Sequence, residues 1–403
     1  MLILFIIVFV NLVGFGIIIP LLPFFGEHFN ATPVEVTALM AIYSATQFVT
    51  APLWGFLSDK YGRRPILIFT LAGTVASYIW FALATDLTTL FLSRALAGIM
   101  AGSISTAFAY MADITDESNR SKGMGLIGAA FGLGFIAGPA IGGLLAGSDP
   151  ATTNFQLPSF VAAGFSSVAL LGAIVMLKES LSPEIRSQMA QRSTVERWNL
   201  CKKTISRSDI VTIIILTFLA IFVFAGLEAT FAMWSERQFD WGVEQNGYIF
   251  AFIGIISAII QGTLIGPISK RIGEIGMIRQ GFLALGIGLA IIPFSNNLPL
   301  LLAAMIIVAY GFSISTPALN SLLSLKVPAD QQGGVLGIGR SASTLSRVFG
   351  PIGAGYLFAF LGRDWPFYIG ALFMLAVLLL SLKLVKQTVS DTGDGSNTQK
   401  QKT

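Results

Sequence analysis

Long apolar segments recur along the whole chain and are separated by short polar turns. At 1.5 Å per residue, each segment can cross about 30 Å of membrane hydrocarbon as a helix. None of them alternates in the way that membrane strands do. The first segment is too quickly followed by a second to be a cleaved signal peptide, so we expect it to remain as a helix. The pattern predicts twelve membrane-spanning helices, at residues 2–25, 35–57, 65–85, 88–112, 121–147, 158–177, 209–235, 244–267, 275–294, 298–323, 333–361 and 366–385.

The composition agrees with a protein that lies within a bilayer. Of the 403 residues, 54% are apolar or aromatic and only 11% are charged, against roughly 25% charged residues in an ordinary soluble domain. So few charges cannot cover the surface of a soluble protein of this size. A single cysteine, Cys201, and a single histidine, His28, exclude a disulfide and any site built from several such residues. We expect no metal, no cofactor and no enzymatic activity.

Lysine and arginine are unequally distributed between the two sets of loops. If the N-terminus is cytoplasmic, the inner loops and the tail hold 20 of these residues, while the outer loops hold only Arg237 and Arg363. The positive-inside rule then places both termini in the cytoplasm. We call the side with the 20 residues the basic side. The net charge of +4 reflects this topology and contact with anionic lipid, so it does not indicate nucleic-acid binding.

The two halves of the chain are related to each other. Similar loops begin at Gly55 and Gly266, and similar Gly-Pro runs begin at Gly138 and Gly350, at offsets of 211 and 212 residues. A shared offset indicates a duplicated six-helix unit, with the binding site between the halves. We predict an N-terminal bundle (1–177), a basic cytoplasmic linker (178–208), a C-terminal bundle (209–385) and a disordered cytoplasmic tail (386–403). The linker forms either an amphipathic helix on the membrane surface or a solvated loop.

Several segments resemble one family of transporters. The loop GFLSDKYGRRP at residues 55–65 resembles the signature loop of the major facilitator superfamily. The runs at residues 14–23 and 131–143 resemble motifs of its twelve-span drug:proton antiporters, and those at 109–118 and 239–241 resemble tetracycline-efflux proteins. The resemblance covers essentially the whole chain. It implies an all-α membrane protein with twelve transmembrane helices in two six-helix bundles, the major facilitator fold, in a bacterial inner membrane.

The resemblance also implies gating contacts at the signature loop. Asp59 is implied to latch one half of the protein to the N-terminal end of span 11, and Arg63 to pair with Asp113 on span 4. The two glycines of the loop permit close helix approach and a tight turn. The alternative is that the basic residues here are ordinary positive-inside anchors. The expected gating residues of this region are Gly55, Asp59, Gly62, Arg63, Arg64 and Asp113.

Span 5 is rich in glycine and contains Pro139. Small residues let helices approach closely, and an internal proline bends a helix by removing a hydrogen bond. The family associates this motif with antiport, whereas close packing is the alternative. We expect Gly138, Pro139 and Gly142 to form a pliable part of the gate.

Four formal charges lie well inside the predicted spans: Arg94, Glu228, Arg340 and Arg347. Charged residues at such depths mark functional sites in membrane proteins. Arg94 and Glu228 lie at similar depths on spans 4 and 7, which the resemblance implies line the cavity. We therefore expect Glu228 to carry the coupling proton with Arg94 as its partner. A structural pair or a carboxylate at the lipid interface is the alternative. Arg340 and Arg347 share one face of span 11 and either cap the neighbouring half as gating residues or meet an anionic substrate.

Other polar and aromatic residues are candidates for the wall of a substrate cavity. Two departures from tetracycline-efflux proteins remove acids from the spans. Asn11 stands where those proteins carry an aspartate, and span 9 has no acid at mid-membrane. For each aromatic candidate, a lipid-facing position is the alternative. The cavity candidates are Asn11, Tyr43, Gln47, Tyr110, Phe231, Trp234, Gln261, Tyr310 and Asn320.

We therefore expect a secondary transporter that exports a small amphipathic organic compound in exchange for protons by alternating access. It is expected to act as a monomer in contact with membrane lipid and to bind no nucleic acid. The phosphate-binding sequence GxxxxGK[ST] is absent, which argues against an ATP-driven pump. The excess of intramembrane arginine favours an alternative, the proton-coupled or facilitated transport of a metabolite such as an organic anion or sugar. A non-transporting membrane sensor is the alternative of another class.

Overall fold

The structure, a computed structural model, describes residues 1–116, 119–149, 152–181, 207–327 and 332–394. These ranges are mainly α-helical and contain no strand, so the predicted all-α fold class is confirmed. The linker residues 182–206 with Cys201, and the tail beyond residue 394, lie outside the described residues. The helices are α1 (Leu2–His28), α2 (Pro33–Tyr61), α3 (Arg63–Ala82), α4 (Leu87–Ala101), α5 (Ile104–Asp113), α6 (Arg120–Ala146), α7 (Gln156–Met176), α8 (Ser208–Phe239), α9 (Val243–Ile259), α10 (Ile265–Ile291), α11 (Leu298–Leu325), α12 (Gln332–Phe360) and α13 (Trp365–Asp394).

The helices follow the predicted spans in order. Ten helical stretches of the described chain are long and apolar enough to cross a membrane. One of them, Val243–Phe294, is 52 residues long and covers predicted spans 8 and 9. It is kinked at Gly273, where the positive φ of 65° favours a residue without a Cβ. Predicted span 11 corresponds to α12, which is helical over 29 residues.

Two predicted spans contain interruptions that hydropathy does not reveal. Within span 4, α4 ends before Gly102 and α5 begins at Ile104. Within span 8, Ile260–Leu264 form a π-helical turn between α9 and α10. Such turns shift the register of the side chains and are frequent at functional sites. Apolar composition is the same on both sides of each interruption, so it predicts only one continuous segment.

Local hydrogen bonds fix where the helices begin. The Thr32 side chain and the Glu35 carboxylate cap the start of α2 reciprocally. The Asp86 carboxylate accepts the backbone N–H of Thr89 at 2.8 Å and so starts α4. This hydrogen bond holds the pKa of Asp86 below its usual value. The cap matters for the site because α4 carries Arg94.

The chain forms two compact units, and three helices contribute residues to both. The first unit contains α1 to α7 together with Gly226–Ile255 of α8 and α9 and Arg347–Arg363 after the middle of α12. The second contains the preceding part of α8, the described residues of Ile256–Ser346, and those from Asp364 onward. The bundle boundaries inferred from the internal repeat remain a prediction.

Helix α1 is the central element of the first unit and packs mainly against α6 and α7. Its side chains contribute to two apolar cores, one near each end of the helix. Toward its N-terminus, Leu4 and Ile7 pack with residues of α3, α5, α6 and α7. Toward its C-terminus, Ile17 and Phe25 pack with Phe81 of α3 and with α4. Burial on all sides explains why α1 is apolar around its whole circumference.

In the second unit, α10 packs along α11 and α13. Glycines allow α10 and α11 to approach closely: a Cβ added at Gly281 would lie 2.7 Å from the Gly311 carbonyl oxygen. Phe282, Leu285 and Val308 fill this contact and are fully buried. Ring stacking between Phe224 and Phe312, with centroids 3.8 Å apart, joins α8 to α11.

Candidate functional site

An ion pair inside the predicted spans joins Glu228 on α8 to Arg347 on α12. Arg347 Nη1 lies 2.9 Å from Glu228 Oε2. The Glu228 side chain is 12% exposed and that of Arg347 is 36% exposed. Both residues belong to the first compact unit. Because a lone charge in a membrane is costly, the two opposite charges compensate each other here.

Small residues bring α8 and α12 together at this ion pair. A Cβ added at Gly226, two residues before Glu228, would lie 3.1 Å from the Ala354 Cβ and 3.4 Å from the Gly350 carbonyl oxygen. The expected partner of Glu228 was Arg94, so the pairing with Arg347 corrects that expectation. Equal depth in the membrane does not determine which face of a helix a side chain occupies. The sequence feature that could have indicated the contact between α8 and α12 is the pair of glycines at positions 226 and 350, because small residues allow close helix approach.

Arg94 is buried, and no carboxylate of the described residues pairs with it. Its exposed fraction is 5%, and no described residue forms an ion pair with it or accepts a hydrogen bond from its Nε. Its guanidinium carbon lies 4.6 Å from the centroid of the Tyr43 ring. A cation–π contact contributes about 2 kcal/mol when desolvated, whereas desolvation of a buried ion costs several kcal/mol. The arginine is therefore only partly compensated.

The close approach of α2 and α4 places Arg94 against Tyr43. A Cβ added at Gly98, one turn after Arg94, would overlap the Tyr43 carbonyl group and the Thr46 hydroxyl. Tyr43 also packs on Phe15 of α1, with ring centroids 5.1 Å apart. Arg94 therefore belongs to an aromatic cluster that spans three helices.

The other polar cavity candidates of the first unit are hydrogen-bonded between helices. Asn11 Oδ1 accepts the Ser166 hydroxyl at 3.0 Å, joining α1 to α7. Gln47 Nε2 donates to the Ala101 carbonyl at 3.3 Å, joining α2 to α4. Both side chains are half-buried. They hold the helices of the N-terminal half together, whatever they contribute to substrate binding.

Three aromatic candidates are buried in packing contacts rather than placed on an open wall. Tyr110 lies in an apolar core, and its hydroxyl donates to the Lys178 carbonyl at 2.6 Å. Phe231 and Trp234 are 1% and 0% exposed, and Phe231 packs edge-on against Phe250. The expectation that these rings line an open cavity is therefore corrected for this structure. Aromatic composition alone does not distinguish a core ring from a cavity ring.

The remaining cavity candidates belong to the second unit. Gln261 lies in the π-helical turn and is exposed, as is Asn320 on α11. Tyr310, on the same helix as Asn320, is half-buried. Arg340 of α12 is also exposed and belongs to this unit, whereas Arg347 belongs to the first.

A seam of glycines joins α1 to α6. A Cβ added at Gly138 would lie 2.5 Å from the Gly16 Cα, and one at Gly142 would lie 2.5 Å from the Ile17 carbonyl oxygen. These are backbone-to-backbone contacts, so no side chain can move aside to make room. The close approach expected of Gly138 and Gly142 is therefore present.

An adjacent face of α6, about 100° around the helix, meets α9 in the same way. A Cβ added at Gly247 would overlap the Pro139 carbonyl oxygen, and one at Gly143 would lie 3.0 Å from the Glu244 Cα. Pro139 lies within a continuous helix between these two seams. Helix α6 thus presents a glycine face to α1 and another to α9.

The signature loop forms a compact ion cluster on the basic side. Arg63 Nη1 lies 2.6 Å from Asp59 Oδ1, and its Nε lies 3.2 Å from Asp113 Oδ2. Arg63 is buried, and its Nη1 also donates to the Ser58 hydroxyl at 2.6 Å. Gly62 has a φ of 108°, which a residue with a Cβ rarely adopts. The pairing of Arg63 with Asp113 implied by the resemblance is present, while Gly55 has open space around it.

Residues after α7, which no sequence motif indicated, complete this cluster. Glu179 accepts the backbone N–H groups of Arg63 at 2.9 Å and Arg64 at 3.2 Å, so it caps α3. The Ser180 hydroxyl donates to Asp113 at 2.8 Å. Arg64 Nη2 in turn donates to the Ile174 carbonyl on α7. The first residues of the predicted linker are thus attached to the signature loop.

Single charge reversals at Arg63 or Asp113 are expected to reduce transport strongly. Each change breaks the pair and sets like charges side by side; loss of one partner from a fully buried pair costs about 3–5 kcal/mol, which is the upper range for this partly buried pair. The exchanged double variant, Arg63→Asp with Asp113→Arg, is expected to recover part of the transport rate. Recovery is partial because Asp59 and Ser58 also contact Arg63. Flux measurements on the three variants check this, and a double variant no better than either single variant would argue against the pairing.

A second charged cluster lies at the C-terminal ends of α1 and α8. Arg237 Nη2 lies 2.9 Å from Glu27 Oε1, and its guanidinium lies 4.8 Å from the Phe358 ring centroid. Arg363 Nη2 donates to Gln238 Oε1 at 2.6 Å. All five residues belong to the first unit, so α1, α8 and the end of α12 are joined here. From the sequence alone, Arg237 and Arg363 are only the two basic residues of the outer loops.

The sequence matches the Major Facilitator Superfamily over residues 4–346 and again over residues 262–402. The chain belongs to the Major Facilitator Superfamily. It is 31% identical over 363 residues to "Tetracycline resistance protein, class C" of Escherichia coli, covering 88% of each chain. It is 32% identical over 382 residues to "Multidrug resistance protein 2" of Bacillus subtilis, covering 93% of this chain and 92% of that one.

A solved structure is also similar to this transporter. The crystal structure of the human organic anion transporter MFSD10 (TETRAN) matches with a TM-score of 0.70 and 25% sequence identity. The match covers 94% of this chain and 98% of that one. The predicted fold and the resemblance to the drug-efflux group are therefore confirmed. The protein is an integral membrane secondary transporter of small molecules and not an enzyme.

Proposed function

We propose that the transporter exports small amphipathic organic compounds in exchange for protons, and that Glu228 binds the coupling proton opposite Arg347. The observation that carries this proposal is the 2.9 Å ion pair between the two side chains inside the predicted spans. Glu228 is the one acid of the sequence that falls well inside a predicted span. Asn11 cannot titrate, and predicted span 9 has no acid at mid-membrane.

Protonation of Glu228 removes one charge of the ion pair. Arg347 then loses its partner, and the electrostatic contact between α8 and α12 is lost while Gly226 and Ala354 keep the helices close. Deprotonation restores the contact. The pair thus gives α8 and α12 two states that differ in proton occupancy, which is what exchange of a proton for a substrate requires.

The names of the relatives support efflux. Resistance to tetracycline and to several drugs is what the related proteins of Escherichia coli and Bacillus subtilis are named for. A proton moving inward across 100 mV supplies about 2.3 kcal/mol, enough for a substantial concentration ratio without a nucleotide. We place the transporter in a bacterial inner membrane as a monomer surrounded by lipid, with both termini and the basic side in the cytoplasm.

Reconstitution in proteoliposomes tests this function. A pH gradient is imposed, and the movement of tetracycline, of the cationic dye ethidium and of the anion 2-naphthoate is followed. At least one of these compounds is expected to accumulate against its own gradient, and a protonophore should abolish the accumulation. A compound that equilibrates across the membrane but ignores the pH gradient would indicate facilitated transport and contradict the proposal.

A further inference from the structure

We infer that Arg94 binds the acidic group of the transported compound, so that the transporter prefers organic anions with an apolar body. This inference rests on the proposed efflux function and adds the substrate class to it. The guanidinium of Arg94 is a planar fork of donors that matches a carboxylate with two hydrogen bonds. No described residue provides such a carboxylate.

Comparison with other arginines shows that this lack of partners is unusual. Nε of Arg64, Arg94 and Arg279 is buried without an acceptor among the described residues. Arg64 donates elsewhere, from Nη2 to the Ile174 carbonyl. Arg279 is only half-buried. Arg94 alone of these three is more than nine-tenths buried. Its charge is therefore the most desolvated of the three, and an anionic partner would stabilise it most.

Glu228 does not compensate the charge of Arg94. Its carboxylate lies 2.9 Å from Arg347, and this pair is electrically neutral. The first compact unit therefore keeps one uncompensated positive charge at Arg94 within the predicted spans. A cation would be repelled there, whereas an anion would remove the imbalance.

The aromatic rings beside Arg94 fit the rest of such a compound. Tyr43 lies under the guanidinium, Phe15 lies 5.1 Å from Tyr43, and Phe135 lies 5.9 Å from Phe15. The three residues are half-buried. A row of aromatic rings that ends at a buried cation suits an apolar body that carries one acidic group.

Binding measurements on the purified full-length transporter test this assignment. The probes are 2-naphthoate, the neutral 2-naphthamide and the cationic 2-naphthyltrimethylammonium, with Kd measured by equilibrium dialysis and no pH gradient. Wild-type protein is expected to bind 2-naphthoate most tightly. Arg94→Gln is expected to weaken 2-naphthoate binding about 10-fold to 100-fold, the range for hydrogen bonds to a charged group. It should change 2-naphthamide binding less than about twofold.

Two further variants keep the test decisive. Arg94→Lys retains the charge without the fork and is expected to give intermediate affinity, which also covers the case in which Arg94→Gln does not fold. Arg279→Gln removes another arginine with an unpartnered Nε and is expected to bind like wild type. Unchanged 2-naphthoate affinity in folded Arg94→Gln, or wild-type protein that does not prefer 2-naphthoate, would overturn the inference.

The experiment separates this inference from the proposed function. Glu228→Gln is expected to keep the preference for 2-naphthoate over 2-naphthamide and 2-naphthyltrimethylammonium, because that ranking depends on Arg94, while its individual Kd values shift with the loss of the coupled proton site. Loss of the preference for the anion with intact pH-driven transport would refute the assignment of Arg94 alone. Failure of pH-driven transport with the preference intact would refute the coupling role of Glu228 alone.

Discussion

A Glu228→Gln variant is expected to lose uphill transport driven by a pH gradient and to keep downhill movement of the same compound. Glutamine preserves the shape of the side chain but cannot take up or release a proton. Coupling therefore disappears, while the substrate site and the rest of the fold remain. Without coupling, the accumulation ratio is expected to fall to about 1, so the whole ratio that one proton supports, about tenfold per pH unit of the gradient, is lost. Uptake by proteoliposomes with and without a pH gradient measures both quantities.

Glu244→Gln is the matched control for this variant. Glu244 lies near the start of α9 in the same compact unit, where its carboxylate accepts the Tyr248 hydroxyl at 2.8 Å. It has no arginine partner among the described ion pairs, so its loss is expected to leave coupling unchanged. Gradient-driven accumulation that survives in Glu228→Gln, or that fails equally in Glu244→Gln, would argue against Glu228 as the proton site.

A Gly138→Ala variant is expected to lose both stability and transport. The added Cβ would lie 2.5 Å from the Gly16 Cα, and it faces backbone that cannot rotate away. Overpacking of a tight contact costs about 1–3 kcal/mol, or forces α1 and α6 apart. Because α1 is the central helix of the first unit, the displacement reaches both apolar cores that it supports. Thermal unfolding in detergent and flux in proteoliposomes measure the two effects.

Gly132→Ala provides a control in the same helix. Gly132 lies almost two turns before Gly138, is exposed, and has open space where a Cβ would be added. Alanine is the better helix former by about 1 kcal/mol, so this variant should be as stable as wild type or more so. Equal loss of stability in both variants would indicate that glycine flexibility, and not the contact with α1, is what α6 requires.

Hydropathy and charge predicted most of the fold. Apolar segments long enough to span a bilayer identified the helices in their order, and motifs such as the signature loop identified the superfamily. The pairing of Arg63 with Asp113 also followed from the resemblance. The π-helical turn at Ile260–Leu264 and the break between α4 and α5 could not be predicted, because each changes backbone geometry without changing the apolar composition. The kink at Gly273 lies in the polar turn that was predicted between spans 8 and 9.

The candidate site was less predictable than the fold because partner choice depends on helix rotation. Arg94 and Arg347 are both intramembrane arginines, and depth alone favoured Arg94 as the partner of Glu228. The structure pairs Glu228 with Arg347 because α8 and α12 approach at Gly226. Glu179 was missed for another reason. Its role as a cap of α3 depends on the chain returning to the signature loop after α7.

Proton release on substrate binding tests whether Glu228 gives up its proton when the substrate binds. Purified transporter in weakly buffered detergent solution is mixed with a compound that it transports, and a pH indicator records the protons released. By linkage, wild type is expected to release protons when the substrate binds, up to one per bound substrate. Glu228→Gln is expected to bind the compound and release none. Equal proton release from the Glu228→Gln variant and from wild type would contradict the account.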